Sequence, residues 1–180
     1  MTVGTAEGPL NGLDLAKLRE VLQIVKEDAA KAGDLNRRRA RIRWLGAFTT
    51  RAYVRNHAVQ IDEPSDLAGV DTAPNAVEYV LSALGACLTV GFILNATLSG
   101  VRVRDFEAAV EGEIDNILVF LGLDDKGHPG YRRVRVKAYV RAEAAEGRLQ
   151  EIWKQTVAGS PVANTLFRNV ELIPEVAVIK

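Results

Sequence analysis

Among the residues of this 180-residue chain that could take part in a chemical reaction, the most informative is its single cysteine, Cys87. It lies inside a long apolar segment, so its thiol could be inert packing or a redox nucleophile. Because a free cysteine is among the residues most often buried, composition alone favours inert packing. A single thiol also excludes an internal disulfide. What the chain does therefore depends on what surrounds this sulfur.

A reactive thiol needs a nearby positive charge to hold its thiolate form. Arg51 and Arg55 are candidates, because period-two alternation places both on one face of a strand predicted over residues 49–55. The alternative is that both arginines simply face solvent, as arginines on strands usually do.

Glu78 precedes Cys87 on the predicted central helix and has two interpretations. It could be a first-turn carboxylate favoured by the helix dipole, with Asn75 as the N-cap. It could instead orient an arginine that faces the thiol. Nine residues are about two and a half helical turns, so Glu78 and Cys87 project to different sides.

The sequence predicts no metal site and no cofactor. His57 and His128 are the two histidines, and no cysteine or histidine cluster has ligand spacing. The Gly-x-Ser-x-Gly elbow of many hydrolases and the glycine-rich phosphate loops are also absent from the sequence.

Composition narrows the class of protein. Hydrophobic residues make up 48% and charged residues 26%, and 23 basic residues balance 23 acidic ones. This balance gives no indication of a nucleic-acid partner or an anionic membrane, and the basic run at 37–39 is interpreted as solvated. The apolar segment 76–98 is interrupted by polar residues, which predicts a buried core helix rather than a membrane span. No secretory signal is visible, so we expect a cytoplasmic protein.

The elements that must position these residues follow from periodicity. Spacing of three or four predicts an amphipathic N-terminal helix over 13–32, closed by Gly33, and a second amphipathic helix over 143–158, closed by Gly159. Alternation predicts strands on both sides of the central helix. These strands are expected near 40–44, 49–55, 57–61, 101–114, 133–140 and 170–179.

This order of elements predicts an α+β fold with mostly antiparallel sheets around a long central helix. Residues 1–35 form a predicted N-terminal helical extension, and residues 36–180 form the main domain.

Two segments of the chain resemble the OsmC/Ohr family of thiol-dependent, peroxide-reducing proteins. The first segment, residues 69–88, has the sequence GVDTAPNAVEYVLSALGACL. It follows shorter matching stretches at residues 55–57 and 62–64. The second segment, residues 160–166, has the sequence SPVANTL. The resemblance covers roughly residues 40–180.

The resemblance implies an OsmC-like fold and an intertwined homodimer with reactive sites at the subunit interface. It also implies that Cys87 is the peroxidatic nucleophile, which attacks the O–O bond and becomes a sulfenic acid. Arg51 or Arg55 would hold the thiolate, and Glu78 would hold that arginine. The implied partners are a small-molecule peroxide and an external thiol reductant.

The sequence departs from the family pattern at two positions. The family's second cysteine falls on Ser160, whose hydroxyl cannot form a disulfide. The helical glutamate of Ohr-type members falls on Val77, one residue before Glu78, and one helical residue is about 100°.

Three functions stay open at this point. The first is a one-cysteine peroxidase that uses an external reductant on organic hydroperoxides or hydrogen peroxide. The second is a non-catalytic dimer of the same fold with a binding or structural role. The third is a hydrolase that uses Ser160 as nucleophile, although no obvious base flanks that residue.

Overall fold

The computed structural model of the chain describes residues 9–178 and has the predicted α+β architecture. Three strands form one antiparallel sheet in the order β1-β2-β3, and two longer strands form a second antiparallel sheet, β4-β5. The helices are α1 (Leu15–Glu27), α2 (Ala29–Asn36), α3 (Ala76–Leu98), α4 (Ile117–Phe120), α5 (Glu146–Gly159) and α6 (Pro161–Phe167). The strands are β1 (Arg41–Gly46), β2 (Thr49–Val54), β3 (His57–Ile61), β4 (Val103–Ile114) and β5 (Tyr131–Ala142).

The central helix α3 packs against β4, α5 and α6. The core around its second half combines Phe92 with Ile152 of α5 and with Phe106 of β4, whose ring centroid lies 4.8 Å from that of Phe92. A second buried cluster joins Leu84 and Leu88 to α6. These contacts hold the α5–α6 corner against the middle of α3.

Among the described residues, only one side of α3 is buried, which corrects the expectation of a buried core helix. A stripe on its other side, defined as Val80, Ala83, Cys87, Val90 and Leu94, is partly or fully open, and Val90 is 69% exposed. By length and mean hydropathy, 1.9 over its most apolar window, α3 would also pass for a membrane span. Its packing against both a sheet and two helices makes it the central helix of the fold instead.

The β1-β2-β3 sheet is more exposed than the half-buried strands that alternation predicted. In the register of the sheet, Ile42 lies opposite Ala52, and Ala52 lies opposite Val59, so one face is apolar. Trp44, on that same face, is 73% exposed. The pattern fits a pleated sheet, and within the described chain this apolar face has little cover.

The N-terminal helical segment is two helices rather than the single helix predicted over 13–32. Asp28 ends α1, and its side chain accepts hydrogen bonds from Ala30 and Lys31 to cap a new helix. Gly33 does not close the segment, because α2 continues to Asn36. The part of the predicted extension before residue 9 lies outside the described residues.

The predicted last strand over 170–179 does not form in the described part of the chain. Residues 169–178 have no regular structure, and Leu172 is 86% exposed; Ile179 lies outside the described residues. The alternation of apolar residues that predicted a strand is present, but within 9–178 no strand pairs with this segment. A strand needs a partner edge, and alternation alone does not supply one.

Candidate functional site

Cys87 lies near the middle of α3, on its exposed stripe, and is partly buried. The thiol is partly exposed, while the next residue along the chain, Leu88, is buried at 2%. The sequence forms a helix here because α3 begins with a capped turn at Asn75 and ends only at Ser99. The sulfur is therefore held on a rigid element and is not sealed inside the core.

Ser160 lies directly beside this sulfur. Its Oγ is 3.2 Å from Cys87 Sγ and donates a hydrogen bond to it, although the two residues are 73 positions apart in sequence. Ser160 is also 96% buried, since its exposure is 4%. The structure thus brings together one residue from each of the two segments that resemble the OsmC/Ohr family, Cys87 from residues 69–88 and Ser160 from residues 160–166.

The position of Ser160 is fixed by the corner between α5 and α6. It is the C-cap of α5 and the N-cap of α6, where its Oγ accepts a hydrogen bond from Ala163 N at 3.2 Å. Pro161 in the first turn favours this helix start, and Asn164 Nδ2 donates to the Ser160 carbonyl at 2.9 Å. Because Oγ accepts from the backbone, its single proton is available to the sulfur.

A donated hydrogen bond stabilises negative charge on its acceptor, so the Ser160 hydroxyl is placed to favour an anionic sulfur or a sulfenate oxygen. The surroundings on the buried side are apolar. Leu88 and Ala163, each next to or bonded to one member of the pair, belong to one buried cluster, and both line a cavity of about 430 Å³ between α3, β5, α5 and α6. This arrangement can hold a nucleophilic sulfur close to a hydroxyl donor, and it cannot form a disulfide.

Glu78 has the first of the two roles considered for it. Its Oε2 accepts from Asn75 N at 2.8 Å, while Asn75 Oδ1 accepts from Glu78 N at 3.0 Å, which is a complete capping box. Burial, and then the Glu78 carboxylate, raise the pKa of Tyr131, whose hydroxyl donates to the Val77 carbonyl. In the described chain this glutamate holds the helix start and contacts neither candidate arginine.

The two candidate arginines are in different environments. Arg51 is on β2, partly buried, and its Nη2 donates to Gln60 Oε1 at 3.4 Å. Arg55 is not on the strand: it lies in the turn after β2 with φ 56° and is exposed. The prediction that both share one strand face is therefore wrong, because the hairpin turns one residue earlier than alternation indicated. Within residues 9–178 neither arginine forms a hydrogen bond with Cys87.

One feature of the structure was not predicted from the sequence: a buried carboxylate, Asp62, directly after β3. Asp62 is 1% exposed, and its Oδ2 accepts from the Thr72 hydroxyl at 2.7 Å. This hydrogen bond, with those from the backbone of Thr72 and Glu63, lowers the pKa of Asp62 in spite of burial. The signal available in the sequence was an aspartate directly after a strand, at the start of a loop rich in turn residues.

Residues 9–178 contain no group of three or more histidine, cysteine, aspartate or glutamate side chains that could hold a metal ion. His57 is exposed on β3, and His128 Nδ1 accepts a hydrogen bond from Gly130 N in the loop before β5.

Comparison with known proteins places this geometry in a wider context. The chain matches the sequence model of the family described as "OsmC-like protein" over residues 69–175. No curated protein matches it significantly.

Solved structures with a similar fold include an OsmC-like protein from Mycoplasma pneumoniae, with 16% identity, a TM-score of 0.63, and coverage of 73% of this chain and 88% of that one. An organic hydroperoxide resistance protein OsmC from Legionella pneumophila has 12% identity, a TM-score of 0.54, and coverage of 71% and 88%. An organic hydroperoxide resistance protein from Elizabethkingia anophelis has 13% identity, a TM-score of 0.52, and coverage of 74% and 91%. At these identities the likeness concerns the fold.

Proposed function

The chain belongs to the OsmC-like protein family, and from this premise we propose that it is a one-cysteine, thiol-dependent peroxidase. Its substrate is an organic hydroperoxide or hydrogen peroxide, its nucleophile is Cys87, and its reductant is an external thiol. Proteins of similar fold that carry the name organic hydroperoxide resistance protein support the substrate class.

One observation carries the proposal: the buried hydroxyl of Ser160 donates a hydrogen bond to the Cys87 sulfur at 3.2 Å. A cysteine that serves only as packing needs no such donor, because it behaves as a small apolar side chain. The contact supports a sulfur that carries negative charge during its reaction. It also supports a cycle without a second protein thiol, since the residue at this place is a serine.

The proposed reaction begins with the Cys87 thiolate. Its sulfur attacks one peroxide oxygen, the O–O bond breaks, and the leaving oxygen takes a proton and departs as an alcohol or as water. The sulfur is oxidised to a sulfenic acid and the peroxide is reduced. The Ser160 hydroxyl is placed to donate to the sulfenate, with which it can form no disulfide. An external thiol then attacks the sulfur, releases water and forms a mixed disulfide, and a second thiol releases Cys87 with formation of an external disulfide.

A cation is needed beside the thiolate, and we assign that role to Arg51 ahead of Arg55. Arg51 is partly buried on a strand, whereas Arg55 is exposed in a turn. A guanidinium on a strand is held in a narrower range of positions than one at a hairpin tip, which favours a persistent contact. In this assignment Glu78 stabilises the first turn of α3 through its capping box with Asn75, and it does not hold an arginine.

The site includes a second copy of the chain in this proposal. The exposed stripe of α3 contains Cys87 itself, and the apolar face of the β1-β2-β3 sheet, with Trp44 at 73% exposure, has little cover within the described chain. Large exposed apolar surfaces of this kind mark protein interfaces. In the register of the sheet Arg51 pairs with Arg43 and Gln60, on the face opposite to the apolar one. In this proposal the homodimer covers the stripe of one subunit, and its partner presents the Arg51 face of the sheet to the thiol. Light scattering of the purified protein tests this part, and a monomer at micromolar concentration would contradict it.

The cytoplasm is the proposed location, because a sulfenic acid that depends on an external thiol requires a reducing compartment.

The test of the proposed function is to treat the reduced protein with cumene hydroperoxide and trap sulfenic acid with dimedone. We expect the dimedone adduct at Cys87 by peptide mass spectrometry, and none in Cys87→Ser. Ser160→Ala should slow the reaction about tenfold, which corresponds to loss of one hydrogen bond to a charged group. A thiol that stays unreacted at excess peroxide would instead support the non-catalytic dimer.

A further inference from the structure

A chain of side-chain hydrogen bonds connects a buried carboxylate to the arginine that we assign to the thiol site. Asp62 Oδ2 accepts from Thr72 Oγ1 at 2.7 Å, and Thr72 Oγ1 accepts from Gln60 Nε2 at 2.9 Å. Gln60 Oε1 then accepts from Arg51 Nη2 at 3.4 Å. Four side chains on two strands and one loop therefore form a single path.

The path has a direction that follows from the donors and acceptors available. An ionised Asp62 can only accept, so the one hydroxyl proton of Thr72 points to it. The Thr72 oxygen must then accept, and the group able to donate to it is the amide NH₂ of Gln60. The carbonyl end of Gln60 is left facing Arg51. The buried charge of Asp62 thus determines which end of the glutamine amide meets the guanidinium.

The base of the path is rigid. Asp62 is 1% exposed, and its carboxylate also accepts from Glu63 N at 2.9 Å and from Thr72 N at 3.2 Å. The loop that carries Thr72 is closed tightly, because a Cβ on Gly69 would lie 1.7 Å from the Glu63 carbonyl oxygen.

The path is also tied to the helix that carries the thiol. The hydroxyl of Tyr79, in the first turns of α3, donates to the Gln60 carbonyl at 2.9 Å. Strand β3, which carries Gln60, is therefore fixed to α3 through its backbone, while the Gln60 side chain is fixed by Thr72.

The hydrogen bond at the end of the path joins Arg51 to an uncharged side chain, and this affects the net charge around the guanidinium. Within residues 9–178, Arg51 has no carboxylate within ion-pair distance, and its recorded side-chain partner is the neutral Gln60. A carboxylate partner would cancel much of the guanidinium charge, whereas an amide carbonyl orients the group and leaves its full charge for an anion.

We propose that Gln60, held by Thr72 and Asp62, is the positioning residue that aims the uncancelled charge of Arg51 at the reactive sulfur. This inference rests on the proposed function and adds a named support for Arg51 in place of Glu78.

The experiment measures two rates in the full-length reduced protein. One is sulfenic acid formation at Cys87 with cumene hydroperoxide, and the other is alkylation of Cys87 by iodoacetamide as a function of pH. The variants are Arg51→Ala, Gln60→Ala, Gln60→Glu, Thr72→Val and Thr72→Ser. Gln150→Ala, at an exposed glutamine of α5, is the matched control.

We expect Gln60→Ala and Thr72→Val to slow sulfenic acid formation at pH 7 about tenfold, and Arg51→Ala to slow it at least as much. Gln60→Glu should also slow it, because the new carboxylate pairs with Arg51. In all four variants the midpoint of the alkylation profile should move to higher pH, a change that mere loss of stability would not produce. Thr72→Ser keeps the hydroxyl and should behave as wild type, as should the control.

The outcomes separate this inference from the proposed function. If peroxide oxidises Cys87 and Arg51→Ala slows the reaction while Gln60→Ala and Thr72→Val do not, the positioning role is wrong and the peroxidase stands. If peroxide does not react but the alkylation midpoint moves as stated, the positioning role stands and the peroxidase fails. If Arg51→Ala changes neither rate, the inference is overturned. Should Thr72→Val fail to fold, Gln60→Ala decides alone, because it leaves the bonds of Asp62 intact.

Discussion

Ser160→Cys should convert the proposed one-cysteine cycle into a two-cysteine cycle. The hydroxyl oxygen of Ser160 is 3.2 Å from Cys87 Sγ. A disulfide needs its sulfurs at about 2.05 Å, so a closure of about 1.1 Å is required, which one side-chain rotation at a helix corner can supply. After one equivalent of cumene hydroperoxide, the Cys87 sulfenic acid should condense with the new thiol and release water.

The magnitude of the effect follows from the loop that the new bond would close. The two positions are 73 residues apart, and the loop-entropy relation gives a stabilisation of about 4.4 kcal/mol as an upper value. We expect the oxidised variant to unfold at higher urea concentration than its reduced form, by no more than this free energy.

The assay counts free thiols and measures intact mass before and after peroxide, with unfolding curves in the presence and absence of dithiothreitol. Thr165→Cys is the matched control, since Thr165 is on the same helix but exposed, with its hydroxyl bonded to the Pro161 carbonyl. Two free thiols persisting in Ser160→Cys at a peroxide excess that oxidises Cys87 of the wild type would refute the geometry. A bond between chains rather than within one, visible on a non-reducing gel, would refute it as well.

Four further outcomes test the fold around the site, each by urea unfolding. Asn11→Ala should cost about 1–3 kcal/mol, because the Asn11 amide bonds Thr97, the Val101 carbonyl and Val103 N; a change under 0.5 kcal/mol would show that the N-terminal segment is not anchored there. Ile152→Ala should cost about 2–5 kcal/mol, since this side chain is fully buried, and a neutral result would contradict its place in the core. Gly69→Ala should destabilise the protein through its clash with Glu63, and wild-type stability would rule out that backbone arrangement. The hydrogen bond from the Thr72 hydroxyl is the main cause that lowers the pKa of Asp62 in the folded protein. The ionised Asp62 therefore stabilises the fold above its unfolded pKa of about 3.9, and this stabilisation is lost as the pH falls through the lower folded pKa. Asp62→Asn should be less stable than wild type at pH 7, with a difference that shrinks below about pH 4, and a difference independent of pH would count against this.

The sequence predicted the elements whose signals are local. Asn75 is the N-cap that the sequence indicated, and α3 ends at Leu98, the last residue of the apolar segment, because caps and apolar periodicity are encoded within a few residues. Gly159 likewise ended α5 where predicted.

The features of the fold that could not be predicted from the sequence depend on contacts between residues far apart in the chain. Alternation in residues 170–178 predicted a strand, but whether a strand forms depends on a partner edge that the local pattern does not contain. Apolarity of residues 76–98 predicted full burial, while residues 9–178 cover one side of this helix only. Arg55 lay one residue beyond a strand end, which is within the usual error of a predicted boundary.

Within the candidate site, too, some residues could be predicted from local sequence motifs and others could not. The motifs singled out Cys87 and Ser160, and the structure brings them into contact. The network of Asp62, Thr72 and Gln60 has no motif, because its members gain their roles only when a strand end and a loop fold back on each other.

The most direct test of the central claim, that Cys87 turns over with an external thiol, is the steady-state consumption of tert-butyl hydroperoxide with dithiothreitol as reductant. We expect the wild type to consume many equivalents of peroxide per chain at a rate above the uncatalysed reaction, and Cys87→Ser to consume none above it. Consumption that stops at one equivalent, or that is equal in both proteins, would contradict it.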